Sequence, residues 1–229
     1  MLSETWEDLR YDQNRRTTLF KEMAQIMLAI GSMTIDNSGV LSLSNRPLTL
    51  RLQQLENEGI PTNIKRDLTY STTEAYLLDL LAYHDSRIRH QPNSIHNRSD
   101  GEAQMACLTL MRAILPSFLD RSLRHGPFVF TLTDLHQSNI LVDDDWHIKC
   151  LIDLEWACSL PVEMQQPPSW LTGRGVDQLQ EGEHLEAFSC AYKEFLDAFE
   201  QEEVLLSPQE SSVPSRADIM RRGWKIGNF

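Results

Sequence analysis

Three short apolar runs follow one another between residues 128 and 152, and polar residues separate them. The runs read FVFTL, ILV and HIKCLI. Each run is too short for a helix, so the pattern predicts short β-strands in this range. Asp134 and Asn139 flank the loop after the first run, and Asp153 follows the last one. Because carboxylates are costly to bury, acidic residues at strand ends need a functional or a local structural reason.

Helical periodicity dominates the rest of the chain. An apolar stripe with the spacing i, i+4, i+7 predicts a helix over 19–30 that stops near Gly31. Ser71 and Glu74 have the spacing of a capping box, which predicts a helix over 71–88. A strongly amphipathic helix is predicted over 184–203, with an inward face formed by Leu185, Phe188, Tyr192, Phe195, Leu196 and Phe199.

Three further segments complete the expected fold. A helix over 102–119 should end near Pro116, with Met105, Leu108, Met111 and Leu115 facing inward. The turn sequence DNSG between two β-prone runs predicts a hairpin within 31–43, with an irregular loop as the alternative. Three prolines argue against regular structure in 159–173. The expected class is α+β, mainly helical, in a single domain over residues 1–229.

Composition restricts the partners of the chain. The formal net charge is −12, with no cluster of Lys or Arg, so nucleic acid is not expected. The negative charge fits a cationic substrate or a divalent metal, and equally a solvated acidic surface. No apolar run reaches about 18 residues, so no membrane span is expected.

The cysteines and the first residues bear on the compartment. The four cysteines, at 107, 150, 158 and 190, have no zinc-ligand spacing. We interpret them as reduced thiols, at least two of them buried. The first residues are acidic and lack the apolar core of a secretory signal. A cytoplasmic location is therefore expected.

Asp134, Asn139 and Asp153 together suggest phosphoryl transfer. An Asp and an Asn offer hard oxygen ligands, which suit Mg²⁺. A second Asp can orient a hydroxyl group or accept its proton. Phosphoryl transfer needs few groups beyond these, because positioning and charge neutralisation supply most of its catalysis. The alternative is structural: turn hydrogen bonds for Asp134 and Asn139, and a helix cap for Asp153.

The sequence LTDLHQSNILVDDD, followed by LIDLEW, resembles the aminoglycoside phosphotransferase-like family of the protein-kinase-like fold, particularly its fungal branch. That family has a catalytic loop H-x-D-L-x-x-x-N-(I/V)-L-V-D and a later strand ending in I-D-W-E. The resemblance implies that Asp134 is the catalytic base or hydroxyl-orienting residue. It also implies that Asn139 and Asp153 bind Mg²⁺, and through it ATP. The segments GSMTI, NRPLTL, PPSWL and MRRGWKIGNF extend the resemblance over almost the whole chain.

The chain also departs from the family pattern. Leu132 stands where many relatives have His, and Leu154 replaces the usual Trp. We interpret His136 as a surface loop residue, with a substrate contact as the alternative. The sequence contains no Gly-rich loop and no V-A-I-K-like strand, which kinase-like enzymes use to hold phosphates. We therefore expect the chain to be the C-terminal lobe, with the N-terminal lobe absent.

Two functions of different classes follow. The first is ATP- and Mg²⁺-dependent phosphoryl transfer to a hydroxyl of an unidentified small molecule, with weak cofactor binding and impaired activity. The second is a non-catalytic kinase-like remnant or binding module. An unrelated helical scaffold is a third and weaker interpretation. Self-association is expected through the uncovered lobe face, near Ile140, Leu141, Val142 and Ile152.

Overall fold

The computed structural model describes residues 1–32, 50–62, 64–65, 68–175, 178–179, 182–206 and 214–227. The elements within these ranges are α1 (Leu2–Leu9), α2 (Gln13–Gly31), α3 (Leu50–Asn57), α4 (Thr73–His90), α5 (Arg98–Phe118), β1 (Phe128–Leu132), β2 (Ile140–Val142), β3 (Ile148–Leu151), β4 (Ala157–Pro161), α6 (Glu183–Leu206) and α7 (Arg216–Ile226). The strands form two small sheets, β1 with β4 and β2 with β3. The expected α+β, mainly helical class and the strands within 128–152 are therefore confirmed. The expected hairpin at DNSG lies outside the described residues.

The chain divides into two compact units. Unit 1 comprises Met1–Met33, Phe130–Ala157 and Glu163–Phe229, and unit 2 comprises Thr34–Val129 and Cys158–Val162. All three candidate site residues belong to unit 1. The single domain over residues 1–229 stays a prediction. No helix in the described ranges is long and apolar enough to cross a membrane.

Unit 1 is built around α2 and α6, which pack along each other, while α7 packs against α6. The rings of Phe20 and Phe195 meet edge to face with centroids 5.5 Å apart. The predicted stripe of α6 is confirmed for Phe188, Tyr192, Phe195, Leu196 and Phe199, which are all buried, whereas Leu185 is half-buried. Each large apolar side chain removed from water contributes about 1.5–3 kcal/mol.

The ends of α2 are fixed by side chains. At its start, the Asp12 carboxylate accepts hydrogen bonds from the backbone N–H groups of Asn14 and Arg15, at 3.0 and 3.1 Å. At its end, the Arg216 guanidinium donates to the carbonyls of Met27 and Leu28, at 2.8 and 3.3 Å. A cation at the C-terminus of a helix satisfies carbonyls that lack intrahelical partners. The predicted stop at Gly31 is confirmed.

Unit 2 has a separate, tyrosine-rich core. Tyr70 and Tyr76 pack edge to face at 5.3 Å, and the Tyr70 hydroxyl donates to Asp79 at 2.8 Å. α4 packs against α5, and an ion pair of 2.6 Å joins Asp85 to Arg112. One prediction here needs correction, because the N-terminal cap of α4 is Thr72. Its hydroxyl accepts from Ala75 N–H, so the capping-box spacing that begins at Ser71 is not used.

The prediction for α5 is confirmed for the end of the helix and wrong for its buried face. The helix includes Pro116 and ends at Phe118, whereas Met105 and Met111 are exposed rather than buried. Proline deprives one carbonyl of its partner, and this costs little in the last turn of an exposed helix face, where water replaces the lost donor. Leu108 alone of the predicted inward set is fully buried. Apolar residues surround α5, so the periodicity does not determine which face is buried.

Two further expectations are corrected. β4 extends through Ser159, Leu160 and Pro161, where the prolines argued against regular structure. Proline is tolerated at the end of an edge strand, and both strands of a two-stranded sheet are edges. The expectation of at least two buried cysteines is also wrong: all four are free, and only Cys158 is buried.

Candidate active site

The β2–β3 ribbon brings the loop of Asn139 next to the segment that leads into Asp153. The strands are antiparallel, with Ile140 opposite Leu151 and Leu141 opposite Cys150. Beyond this pairing, the Ile152 N–H donates to the Asn139 carbonyl at 3.0 Å. Asn139, immediately before β2, and Asp153, two residues after β3, therefore lie at the same end of the ribbon.

A short hydrogen-bonded turn holds the loop between Asp134 and Asn139. The Asp134 carbonyl accepts from the backbone N–H of His136 and from the side-chain amide of Asn139, both at 3.0 Å. The Asn139 N–H in turn donates to the His136 carbonyl at 2.9 Å. Asn139 is buried, and the hydrogen bond to the Asp134 carbonyl satisfies its amide nitrogen, as buried polar groups require. Its side-chain oxygen lies 3.4 Å from the Ser138 hydroxyl and keeps acceptor capacity for another ligand.

Asp153 has an unusual backbone conformation. Its φ and ψ are 55° and 52°, in the left-handed region, directly before the 3₁₀ turn Leu154–Trp156. Asp is among the few non-glycine residues that adopt this conformation, which costs about 1–3 kcal/mol. The local structure therefore holds the Asp153 carboxylate in a position that an extended backbone would not give. Strain of this kind concentrates at functional sites.

Asp134 and Asp153 line the same small cavity. Leu132, Thr133, Ile152 and Trp156 form part of its wall. Its volume is about 10 Å³, which is room for about one water molecule or ion. Asn139 is not among the lining residues, although its amide binds the Asp134 carbonyl. The structure thus brings Asp134 and Asp153 to one cavity and connects Asn139 to Asp134 through the backbone carbonyl of Asp134.

The donor set fits a hard divalent cation. Carboxylate and amide oxygens are the protein ligands that Mg²⁺ prefers, and Mg²⁺ commonly takes one or two from the protein and the rest from water and phosphate. Asp153 and Asn139 supply two such oxygens at one end of the ribbon. In the described ranges no group of three or more His, Cys, Asp and Glu side chains is placed to hold a metal. The residues that could hold such a cation are Asp153 and Asn139.

The proline-rich segment supports the loop in a way that the sequence did not predict. The indole N–H of Trp170 donates to the Leu135 carbonyl at 2.7 Å, directly after Asp134. Trp170 is buried against Trp6, with ring centroids 5.1 Å apart, and Trp6 stacks on Trp146 at 5.2 Å. We regard Trp170 as a positioning residue for the loop. The PPSWL resemblance pointed to this tryptophan, but nothing local to it indicated its partner.

A second connection joins the two site segments to each other. The Thr133 hydroxyl and N–H both donate to the Trp156 carbonyl, the latter at 3.3 Å. This places the residue before Asp134 against the turn that follows Asp153. Leu132, at the position where His is common in the family pattern, contributes apolar wall to the cavity. His136 is exposed on the loop, as expected for a surface residue.

Comparison with known proteins identifies a family. The profile of the phosphotransferase enzyme family matches residues 48–163, a little more than half of the chain. The matched range contains Asp134, Asn139 and Asp153. No curated protein and no solved structure matches the chain. Because the match covers more than half of its length, the chain belongs to the phosphotransferase enzyme family.

Proposed function

We propose that the chain carries the metal-binding and hydroxyl-orienting part of an ATP-dependent phosphotransferase, and that the acceptor is a hydroxyl of a small molecule. The observation that carries the proposal is the shared cavity of Asp134 and Asp153 inside the family match. The left-handed backbone of Asp153 supports it, because strain at a lining carboxylate is typical of functional positions. The kinase-like C-terminal lobe and the fungal branch are part of the same proposal.

The roles follow from the chemistry of each group. Asp134 accepts the hydrogen bond of the acceptor hydroxyl and orients its oxygen toward the phosphorus atom. Asp153 and Asn139 hold Mg²⁺, with Trp170 and Thr133 keeping the two loops in place. When bound, the ion neutralises charge on the phosphate oxygens. Each protein group thus positions a reactant, which is the main source of catalysis in phosphoryl transfer.

We further propose that the 229-residue chain alone turns ATP over slowly. Its sequence contains no Gly-rich loop to cover phosphates, and the cavity has room for an ion but not for a nucleotide. The same observation favours the second candidate function, a binding module that keeps the cation site without transfer. Four free cysteines support a reducing, cytoplasmic setting, and the acidic chain is not expected to bind nucleic acid.

The cation site is tested with Mn²⁺ as a paramagnetic probe. Nuclear magnetic resonance of the 229-residue chain should show broadening of the amide signals of residues 134 and 153 at substoichiometric Mn²⁺. Asp153→Asn should abolish the effect, because it removes the ligand charge with little change of shape. Asp145→Asn, which removes the same charge from an exposed turn of the β2–β3 ribbon, should leave it unchanged. Broadening that is equal in both variants would refute the site.

Activity separates the enzyme from the binding module. Phosphate transfer from ATP to a panel of polyhydroxylated acceptors should be slow but should depend on Asp134. Complete absence of transfer, with Mn²⁺ binding intact, would support the binding module. Fast transfer that both Asp134→Ala and Asp153→Ala abolish would show that the chain is not impaired.

Self-association through the face of Leu141, Val142 and Ile152 belongs to the same proposal. These residues are half-buried, whereas Ile140 beside them is fully buried. Static light scattering over a concentration series should therefore show a mass above that of the monomer. A monomer at every concentration would contradict it.

A further inference from the structure

One side of α5, in unit 2, exposes a stripe of apolar side chains that the proposed function does not use. Leu110 is 61% exposed and Ile114 is 43% exposed, and Ala103 and Cys107 are exposed as well. The other side of the helix is occupied, because α5 packs against α4. Apolar residues that are exposed as a group mark interaction sites, whereas single exposed ones do not.

The exposed stripe has the spacing of a coiled-coil seam. Its positions follow one another in steps of three and four residues along the helix. This average repeat of about 3.5 residues keeps one side of a helix against a partner helix. We call these positions the α5 seam: Asp100, Ala103, Cys107, Leu110, Ile114 and Ser117. The four central positions carry no charge, and a polar residue stands at each end.

The α5 seam is complementary to itself in one antiparallel register. A two-fold axis between residues 108 and 109 places Ala103 opposite Ile114 of a second copy, and Cys107 opposite its Leu110. Each pair joins a small side chain to a larger one, so the layers have similar volumes and can interdigitate. Each pair also occurs twice, as a two-fold symmetric interface requires.

The polar ends of the α5 seam favour this antiparallel register over a parallel one. In the antiparallel register Asp100 lies opposite Ser117, whose hydroxyl can donate a hydrogen bond to the carboxylate. In a parallel pair the two Asp100 carboxylates would face each other and repel. Antiparallel helices also bring opposite ends of their dipoles together.

The size of the α5 seam limits the strength of such a pair. Residues 100–117 span about 27 Å of helix, and half of a cylinder of this length and about 10 Å diameter has an area of roughly 400 Å². Two copies would bury about 800 Å² in total, whereas stable interfaces bury about 1,200–2,000 Å². We therefore expect a weak and reversible dimer, in which Cys107 stays accessible in dilute solution.

We propose that the α5 seam is a dimerisation surface, and that its partner is the same seam on a second copy of this chain, with the two helices antiparallel. The proposal does not depend on phosphoryl transfer, since it involves neither Asp134 nor Asp153. It also differs from self-association through Leu141, Val142 and Ile152, which belong to unit 1.

The register is tested by disulfide trapping between two separately prepared variants, Ala103→Cys and Ile114→Cys. When the two are mixed at high concentration and oxidised, mass spectrometry of the peptides should find a disulfide that joins position 103 to position 114. Neither variant alone should join its substituted position to itself, because the two copies of that position lie about 16 Å apart along the helix axis. A disulfide between two copies of position 103 would show a parallel pair and would overturn the proposal.

Sedimentation equilibrium over a concentration series tests the surface as a whole. Leu110→Glu should raise the dissociation constant of the dimer at least about tenfold, because each copy would bring a charge to the centre of an apolar interface. Leu205→Glu is the matched control, since Leu205 is 71% exposed on α6 in unit 1 and receives the same substitution. Both side chains are exposed, so both variants should fold.

The Leu205→Glu variant should dimerise as the wild type does. Equal effects of the two substitutions, or absence of the disulfide between positions 103 and 114, would overturn the proposal. A monomer at every concentration would also overturn it, and would assign the α5 seam to a different protein partner.

Discussion

At the scale of single residues, Gly31 shows how a small side chain fixes a helix end. A Cβ at this position would lie 2.4 Å from Arg216 Nη2 and 2.7 Å from Nη1. Arg216 has little freedom to yield, because it also donates to Gln165 at 2.7 Å and burial lowers its pKa to about 10. The guanidinium remains charged at neutral pH and holds the last carbonyls of α2.

Gly31→Ala should therefore lower the free energy of unfolding by about 1–3 kcal/mol, the usual cost of overpacking. The measurement is urea denaturation followed by circular dichroism, which reports the helices of both units. Gly101→Ala is the matched control, since Gly101 lies within α5 and a Cβ there would meet only the partly exposed Ile95 side chain at 3.1 Å. It should be neutral or stabilising by up to about 1 kcal/mol, as alanine is the better helix former. Equal effects of the two substitutions would contradict this account of Gly31.

Cysteine reactivity is a second prediction at this scale. Burial raises the pKa of the Cys158 thiol to about 11, and its side chain lies in the core of unit 2. The thiolate is the reactive form, so Cys158 is protected in the folded chain. Iodoacetamide at pH 8 should label Cys107, Cys150 and Cys190 under native conditions, and all four thiols in urea. Mass spectrometry of the peptides decides, and native labelling of Cys158 at the rate of the others would contradict the structure.

At the scale of elements, the Glu22 carboxylate on α2 binds the β2–β3 ribbon at two points. Glu22 Oε2 accepts from the Ile148 N–H at 2.6 Å, and Glu22 Oε1 lies 2.7 Å from His147 Nδ1. The hydrogen bond with Glu22 raises the pKa of His147. Asp143 also raises it, and desolvation and Lys149 oppose these effects. This contribution to stability is complete below the unfolded pKa of His147, about 6.5, and is lost as the pH rises through the higher folded pKa.

Glu22→Gln should lower the pKa of His147 while keeping an oxygen acceptor for the Ile148 N–H. Titration of the imidazole signals by nuclear magnetic resonance measures the change. Glu183→Gln serves as a control, because Glu183 lies on α6 and touches neither the ribbon nor His147. A His147 pKa that is unchanged in Glu22→Gln would show that the Glu22 contact does not form in solution.

The elements also show what the sequence can predict. The stripe of α6 is separated from its polar face by clear periodicity, so most of its buried residues could be predicted. On α2 the spacing that begins at Leu19 identifies Leu19 and Met23, but Ile26 is only half-buried, and Phe20, Ala24 and Leu28 are buried outside that spacing. The apolar residues of α5 lie on all sides, and the burial of Leu108 rather than Met105 depends on packing against α4. The positions of Asp134, Asn139 and Asp153 could be predicted because these residues flank short strands. The left-handed backbone of Asp153 and the Trp170–Leu135 hydrogen bond depend on tertiary contacts and left no local pattern.

At the scale of the whole molecule, the two units can be observed separately. The chain has five tryptophans, at positions 6, 146, 156, 170 and 224, and all of them lie in unit 1. Tryptophan fluorescence therefore reports the unfolding of unit 1 alone, whereas circular dichroism reports the helices of both units. The candidate cation site also lies in unit 1. A cation that binds there should stabilise unit 1, and tryptophan fluorescence should detect this as a shift in the unfolding transition.

Mg²⁺ at ten times its dissociation constant should stabilise unit 1 by about 1.4 kcal/mol, because it binds the folded site and not the unfolded chain. For a chain of this size the melting temperature from tryptophan fluorescence should rise by about 3–6 °C. Asp153→Asn should remove this rise, and Asp145→Asn should retain it, since only the former changes the cavity. Sodium chloride of equal ionic strength controls for general screening of the acidic surface. A rise that persists in Asp153→Asn would show that Mg²⁺ acts elsewhere on the protein, and the assignment of Asp153 as its ligand would be wrong.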